Sequence, residues 1–210
     1  IIVRLQCYKF SSTQKIPPLV VCGPSGVGKG TIIQSLLIKY PSKVALSVSD
    51  TTRLPRKREI NGIHYNFISK DEFTAGINKG NYIEYAQTHT NYYGTNKLNI
   101  ENISNNNQLC ILEIDIKGAI NIKNSNLLCK YIFITCPGEY NELERRLKGR
   151  GTENDEQINT RLKTAKFEFD FLNDIKNNGF FDGILINDNL DECIQDTINL
   201  LKEWYPGLEF

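Results

Sequence analysis

Residues 23–31 read GPSGVGKGT, and the segments on either side make this short loop a constraint on the whole fold. Upstream, Pro17 and Pro18 stop any preceding helix, and Leu19 to Cys22 form a short apolar run of the kind found in strands buried on both faces. Downstream, Ile32, Ile33, Leu36 and Leu37 recur at helical spacing until Pro41 closes the segment. The segment therefore reads as strand, glycine loop, helix. The loop nearly fits the phosphate-binding pattern G-x-x-x-x-G-K-[ST]: Gly23, Gly28 and Lys29 fall in place, but Gly30 stands where a hydroxyl is expected and the hydroxyl comes one residue later, on Thr31. Small residues let successive backbone N–H groups converge on one anion, the helix N-terminus adds its positive end, and Lys29 adds a full charge within reach of β- and γ-phosphates. An ordinary tight turn would account for one or two glycines but not for a lysine at this spacing. The loop implies handling of a nucleotide triphosphate, with Gly23, Ser25, Gly26, Val27, Gly28, Lys29, Gly30 and Thr31 as the candidate contacts.

Further apolar runs at 44–49, 109–115, 131–135 and 183–187 resemble buried strands, and helical patterns separate several of them. One pattern follows Pro137, a second opens at Thr152 with acids at 153, 155 and 156, and a third closes the chain after Leu190. This alternation implies an α/β fold with a mostly parallel sheet. Residues 50–97 break the rhythm with short alternating segments rich in Tyr, Asn and Thr, which read as a small, partly β insertion. Residues 137–170 read as charged helices joined by KGRGTEN, a hinge or lid. The expected division is an extension at 1–16, core at 17–49, the insertion at 50–97, core at 98–136, the lid at 137–170 and core at 171–210.

Length and charge narrow the partners. The chain has 210 residues and 40% hydrophobic content, enough for one sizeable core. A net charge of +1 predicts no global pull toward nucleic acid or a membrane surface, and no apolar run approaches the roughly 20 residues that span a bilayer. None of the 6 cysteines forms a C-x-x-C pair, and His64 and His89 have no nearby cysteine, so a reduced cytoplasmic protein without a zinc site is expected. Residues 1–16 carry Arg4, Lys9 and Lys15, a Ser-Ser-Thr cluster and no acid, a faint transit-peptide composition more simply read as a frayed extension.

A second anion site is suggested by Arg53 and Arg56 around Pro55, with Tyr65 nine residues beyond Arg56 and Tyr93, Gly94 and Thr95 further on. Forked guanidinium donors and neutral phenol O–H groups suit phosphate oxygens. Taken alone, RLPRKRE reads as a solvated basic turn or an import signal rather than a site. Taken together, GPSGVGKGT, SVSDTTRLPR, NGIHYNF, IEYAQTHTNYYGT, EIDIKG and RLKGRGTENDEQINTRL resemble the guanylate kinase family in order and spacing over about residues 17–205.

That resemblance implies a P-loop kinase fold with a parallel central sheet flanked by helices, a GMP-binding insertion and a helical lid. It also implies Mg²⁺-dependent transfer of a phosphoryl group from ATP to GMP. By the same resemblance, Arg53, Arg56, Tyr65 and Tyr93 clamp the GMP phosphate. Glu84 reads guanine, whose adjacent N1–H and N2–H₂ donors suit one carboxylate. Ser49, Gly94 and Thr95 lie beside the base, and Asp115 lies near the acceptor. Arg146, Arg150 and Arg161 close over the transferring phosphoryl group, and Asn187 contacts the donor's adenine. The acceptor oxygen is already ionised, so alignment and charge neutralisation, rather than a general base, should carry catalysis.

The GKGT ending resembles that of adenylate kinases. It implies a metal held mainly by ATP oxygens and water, with Asp115 and Glu113 in its outer shell and Thr31 donating to the α-phosphate. Asp50, Glu113 and the Lys57–Arg58 pair depart from the family pattern. The alternatives are a non-catalytic, protein-binding relative of the same fold and a kinase for another nucleoside monophosphate. The expected partners are nucleotides, with the chain a monomer or weak homodimer.

Overall fold

The computed structural model describes residues 16–56, 59–88, 90–149, 154–175 and 179–210. The first strand β1 (Leu19–Cys22) runs through the glycine loop into α1 (Lys29–Lys39) and returns as β2 (Val44–Leu46). A second sheet then forms from β3 (Asp50–Thr51), β4 (Asn66–Phe67), β5 (Tyr82–Thr88) and β6 (Asn91–Asn96), with α2 (Lys70–Asn78) inserted before β5. The chain continues through α3 (Lys97–Asn105), β7 (Leu109–Glu113), α4 (Ile116–Asn124), β8 (Lys130–Thr135), α5 (Tyr140–Gly149), α6 (Asp155–Ile175), β9 (Gly183–Ile186) and α7 (Leu190–Trp204).

The main sheet has 5 strands in the order β2-β7-β1-β8-β9, every neighbouring pair parallel. β1 lies at the centre with β7 on one side and β8 on the other, so the chain's direction of winding reverses there. A crevice opens at the carboxyl ends of strands at such a point, and the glycine loop leaves β1 into it. Both faces of the sheet are covered, which explains the continuous apolar run. Leu19 and Val21 join the core beneath α1 and α7, while Val20 and Cys22 join the opposite core beneath α4.

The smaller sheet has the order β4-β3-β6-β5, with β3–β4 parallel and the other pairs antiparallel. The apolar run read as one strand at 44–49 is a shorter strand followed by three residues outside any strand. β2 stops at Leu46, and Asp50 and Thr51 pair into the second sheet. Helix α2 was absent from the sequence reading, although Ser69 and Glu72 form a capping box at its start, the S-x-x-E signal of a helix N-terminus. The polar, Asn-rich residues 101–108 form the end of α3 and its exit turn. Thr152, read as a helix start, lies outside the described residues. The described helix α6 is capped instead by reciprocal bonds, Gln157 N–H to Asn154 Oδ1 at 2.9 Å and Asn154 N–H to Gln157 Oε1 at 3.1 Å. No helix among the described residues is long and apolar enough to cross a membrane.

Candidate active site

The glycine loop ends in a helix start unlike those of α2, α3, α4 and α7. Ser69, Asn96, Asp115 and Asn189 cap α2, α3, α4 and α7 with side-chain oxygens, whereas α1 begins at Gly28 in the left-handed region (φ 101°) with no side-chain cap. Its first N–H groups therefore remain available to an anion. Gly23 is required for space as well as for its φ of 136°, because a Cβ there would lie 2.1 Å from the Ile134 carbonyl oxygen. Lys29 Nζ donates to the carbonyls of Gly23 (2.5 Å) and Pro24 (3.1 Å), folded back within its own loop. Ser25, Gly26, Gly28, Lys29, Gly30, Thr31 and Glu113 line a cavity of about 220 Å³. Val27, from the same loop, is fully buried and turns its carbonyl to Asn187.

Asn187 is buried, and its Nδ2 donates to the Val27 carbonyl at 2.7 Å, so it braces the loop from the end of β9. Arg146 Nη2 in turn donates to the Asn187 carbonyl at 2.8 Å, while its Nε donates to Glu142 at 2.6 Å. Arg161, on α6, donates to Ser25 Oγ at 2.5 Å. Two of the three arginines read from the sequence thus reach the loop or its support. Arg150 lies outside the described residues, as do His89 and the Lys57–Arg58 pair.

The second sheet gathers the other candidates by register. Thr51 faces Tyr93, Asp50 faces Gly94, and Glu84 faces Thr95 after a bulge that follows Tyr82. Arg53 is gripped by Glu59 through two bonds of 2.8 and 2.9 Å, and its guanidinium lies 5.4 Å above the Tyr65 ring and 5.6 Å above Phe67. Arg56 contributes its backbone N–H to Glu59 at 2.6 Å, and the Tyr65 and Tyr93 rings meet edge to face at 5.8 Å. The Arg53 bonds hold the Glu59 carboxyl at about 2, well below its ordinary value, against a partial opposing effect of burial. Burial raises the Tyr65 phenol, keeping it a neutral donor. Ser49, just before β3, accepts at its carbonyl from Asn66 N–H at 2.9 Å. Asp50, one of the departures, is a buried anchor: Asn66 Nδ2 and Tyr82 O–H donate to it at 2.8 and 2.9 Å.

Glu84 is buried at 8% exposure, and the hydroxyl of Thr95 donates to its Oε1 at 2.6 Å. Its Oε2 lies close to Gly118, where an added Cβ would sit 3.3 Å from it and 3.5 Å from Asp115 Oδ1. Burial raises the Glu84 carboxyl, the Thr95 bond opposes that, and Asp115 adds to it. Asp115 itself caps α4, accepting from Gly118 N–H at 2.8 Å.

A divalent cation fits the loop cavity only in a particular way. Among the described residues no cluster of three or more His, Cys, Asp or Glu side chains could hold a metal. Gly30 offers no oxygen, and Glu113 Oε2 lies 4.0 Å from where a Cβ at residue 30 would stand. The donors present are hard oxygens, Glu113 and Thr31, beside a phosphate-sized space. Of the two carboxylates read as outer-shell candidates, Glu113 lines this cavity, whereas Asp115 is engaged at α4.

The sequence reading missed Glu59 and Glu168. Glu59 is an acid inside a basic run. Glu168 shares one face of α6 with Ala165 and Leu172 and is only 5% exposed, a charge among buried apolar side chains.

Comparison with known proteins follows the same outline. A family profile described as guanylate kinase matches residues 15–204. Guanylate kinase 1 of Oryza sativa is 45% identical over 185 residues, covering 88% of this chain and 47% of the rice protein. The chain thus spans about half the length of that relative, and likewise of Guanylate kinase 1 of Arabidopsis thaliana, at 46%. The guanylate kinase of Sus scrofa is 40% identical over 186 residues, covering 89% of this chain and 92% of the pig protein. The crystal structure of guanylate kinase from Anaplasma phagocytophilum superposes with a TM-score of 0.69 at 28% identity, covering 90% of this chain and 87% of the other.

Proposed function

The chain belongs to the guanylate kinase family, and from that premise we propose that it catalyses reversible transfer of the γ-phosphoryl group of ATP to GMP, and to dGMP, giving ADP and GDP. The observation that carries the acceptor assignment is Glu84. This buried carboxylate has one oxygen taken by Thr95 and the other beside the α4 N-terminus. Guanine presents two adjacent donors to such a group. Adenine presents an acceptor at N1, which a carboxylate repels. Arg53, Arg56, Tyr65 and Tyr93 would hold the acceptor phosphate on the same sheet, with Ser49, Gly94 and Thr95 beside the base.

On the donor side, the open α1 N-terminus, the loop amides and Lys29 would receive the ATP phosphates. Thr31 would donate to the α-phosphate, and Asn187 would support the loop near the adenine. Mg²⁺ arriving with ATP would supply charge neutralisation on the phosphate oxygens, faced by Glu113 across the cavity. Two unit charges 4 Å apart repel by about 4 kcal/mol at an effective dielectric of 20, and both substrates carry more than one. Lys29, Arg53, Arg146, Arg150 and Arg161 offset that repulsion and align the two phosphates, which is most of what phosphoryl transfer asks of a protein. Residues 50–97 serve as the acceptor-binding part and 137–170 as the lid. Nothing in the fold or the comparisons supports the non-catalytic alternative.

The test is to incubate the chain with ATP and Mg²⁺ and each of GMP, dGMP, AMP, IMP and UMP, and to quantify ADP and the diphosphate product. ADP and GDP in equal amounts with GMP is the expected result. Absence of GDP would refute the activity, and equal turnover of AMP would refute the role of Glu84.

A further inference from the structure

We infer that Asp50 and Tyr82 form a latch that positions Glu84: the bond between them holds the β5 bulge that turns the Glu84 carboxylate away from α2 and toward α4. This rests on the reading of Glu84 as the acceptor of guanine's donors.

Strand register shows what the bulge does. On β6, Tyr92, Gly94 and Asn96 share one face, and Tyr93 and Thr95 share the other. Residues directly opposite in a ladder lie on the same face. Tyr82 (opposite Asn96), Tyr85 and Asp50 (both opposite Gly94) therefore belong with the first set, and Glu84 (opposite Thr95) with the second. Tyr82 and Glu84 are two residues apart, and an unbroken strand would put both on one face. The bulge between them separates them. Tyr82 accordingly stacks on Phe73 of α2 at 4.5 Å, and Tyr85 meets the same ring edge to face at 6.5 Å. Glu84 instead accepts from Thr95 and lies beside Gly118 of α4. A one-residue slip that removed the bulge would send the carboxylate to the α2 face.

Tyr82 fixes that register from the other side of the sheet. Its ring crosses β6 at Gly94, where an added Cβ would lie 2.9 Å from Tyr82 Cδ1. Its other edge meets Gly76 of α2, where an added Cβ would lie 2.8 Å from Cε2. The O–H then donates to Asp50 Oδ2 on β3 at 2.9 Å. The other oxygen of Asp50 accepts from Asn66 Nδ2 at 2.8 Å, so one carboxylate joins β3, β4 and β5. Burial and the Asp50 bond raise the Tyr82 phenol, which keeps it a neutral donor. Packing alone would be met by Phe at 82 and a small residue at 50; the hydroxyl and the buried carboxylate each need the other. Because β3 leads into Arg53, the latch also ties the base reader to the phosphate clamp.

The experiment compares the wild-type chain with Tyr82→Phe, which removes only the hydroxyl, with Asp50→Ala and with the double variant. Hydrogen exchange without nucleotide reads the latch, and steady-state kinetics with GMP and IMP read what it positions. In Tyr82→Phe, amides of residues 82–86 should exchange at least about tenfold faster. GMP KM should rise at least about fivefold with kcat within about twofold, and the GMP-to-IMP ratio of kcat/KM should fall at least about threefold. The double variant should be no worse than Asp50→Ala, whose hydroxyl partner is already idle. Should Asp50→Ala not fold, Tyr82→Phe decides alone. Unchanged exchange at 82–86, or a GMP KM within about twofold of wild type in Tyr82→Phe, would overturn the inference. So would a lowered thermal midpoint with an unchanged GMP-to-IMP ratio, which marks a purely structural bond. A wild-type chain with no preference for GMP over IMP refutes the reading of Glu84 instead, and the exchange comparison still decides the latch.

Discussion

Arg53 is held before any substrate arrives. Glu59 fixes its guanidinium end-on, and the Tyr65 and Phe67 rings lie beneath it. Glu59→Gln should leave kcat nearly unchanged and raise GMP KM severalfold, because a neutral amide grips the fork less tightly. Steady-state kinetics over a GMP range tests this. At this scale the sequence was informative wherever a residue type has few alternative uses, as for Lys29 in its loop and Arg53 with Arg56. It was silent on Glu59 and Glu168, because an acid in a basic run and an acid in a charged helix both read as solvated. Only packing reveals that one pairs with an arginine and that the other is buried. Asp50 was visible as a departure, but the Tyr82 and Asn66 bonds that use it depend on strands brought together across the insertion.

Elements differ in how their ends are satisfied, and the differences divide structure from function. Helix α2 begins with a reciprocal Ser69–Glu72 box, and Ser69→Ala should lower stability by about 1 kcal/mol in denaturant unfolding, with little effect on turnover. Helix α1 has no such side-chain cap, which leaves its first N–H groups open to the anion proposed to bind there. Helix α6 carries a pH signature through Glu168. Its folded carboxyl lies at about 7 against an ordinary value of 4.5, so folding binds a proton between those limits. The stability it contributes is present below pH 4.5 and is lost as pH rises through 7. Glu168→Gln should therefore match wild type near pH 4.5 and exceed it at pH 8 by up to about 3 kcal/mol. Chemical denaturation at the two pH values measures the difference. The parallel sheet was legible at this scale because its strands carry continuous apolar runs. The short β3 and β4 were not, since two-residue strands leave no period to read.

The proposed donor and acceptor sites lie on two different sheets. The proposed transfer would require two anions to meet with water excluded, so residues 50–97 and 137–170 should close together when both sites are filled. Small-angle scattering should show a smaller radius of gyration with a bisubstrate analogue than without, and an unchanged radius would refute closure. The account's central claim is that the buried Glu84 carboxylate selects guanine by accepting from N1–H and N2–H₂ together. The most direct measurement is the ratio of kcat/KM for GMP to that for IMP, which lacks the N2 amine, in the wild-type chain and in Glu84→Gln. The account predicts a strong GMP preference in the wild type that falls at least about tenfold in the variant, since an amide sets a donor against a donor. A ratio that Glu84→Gln leaves unchanged would contradict it.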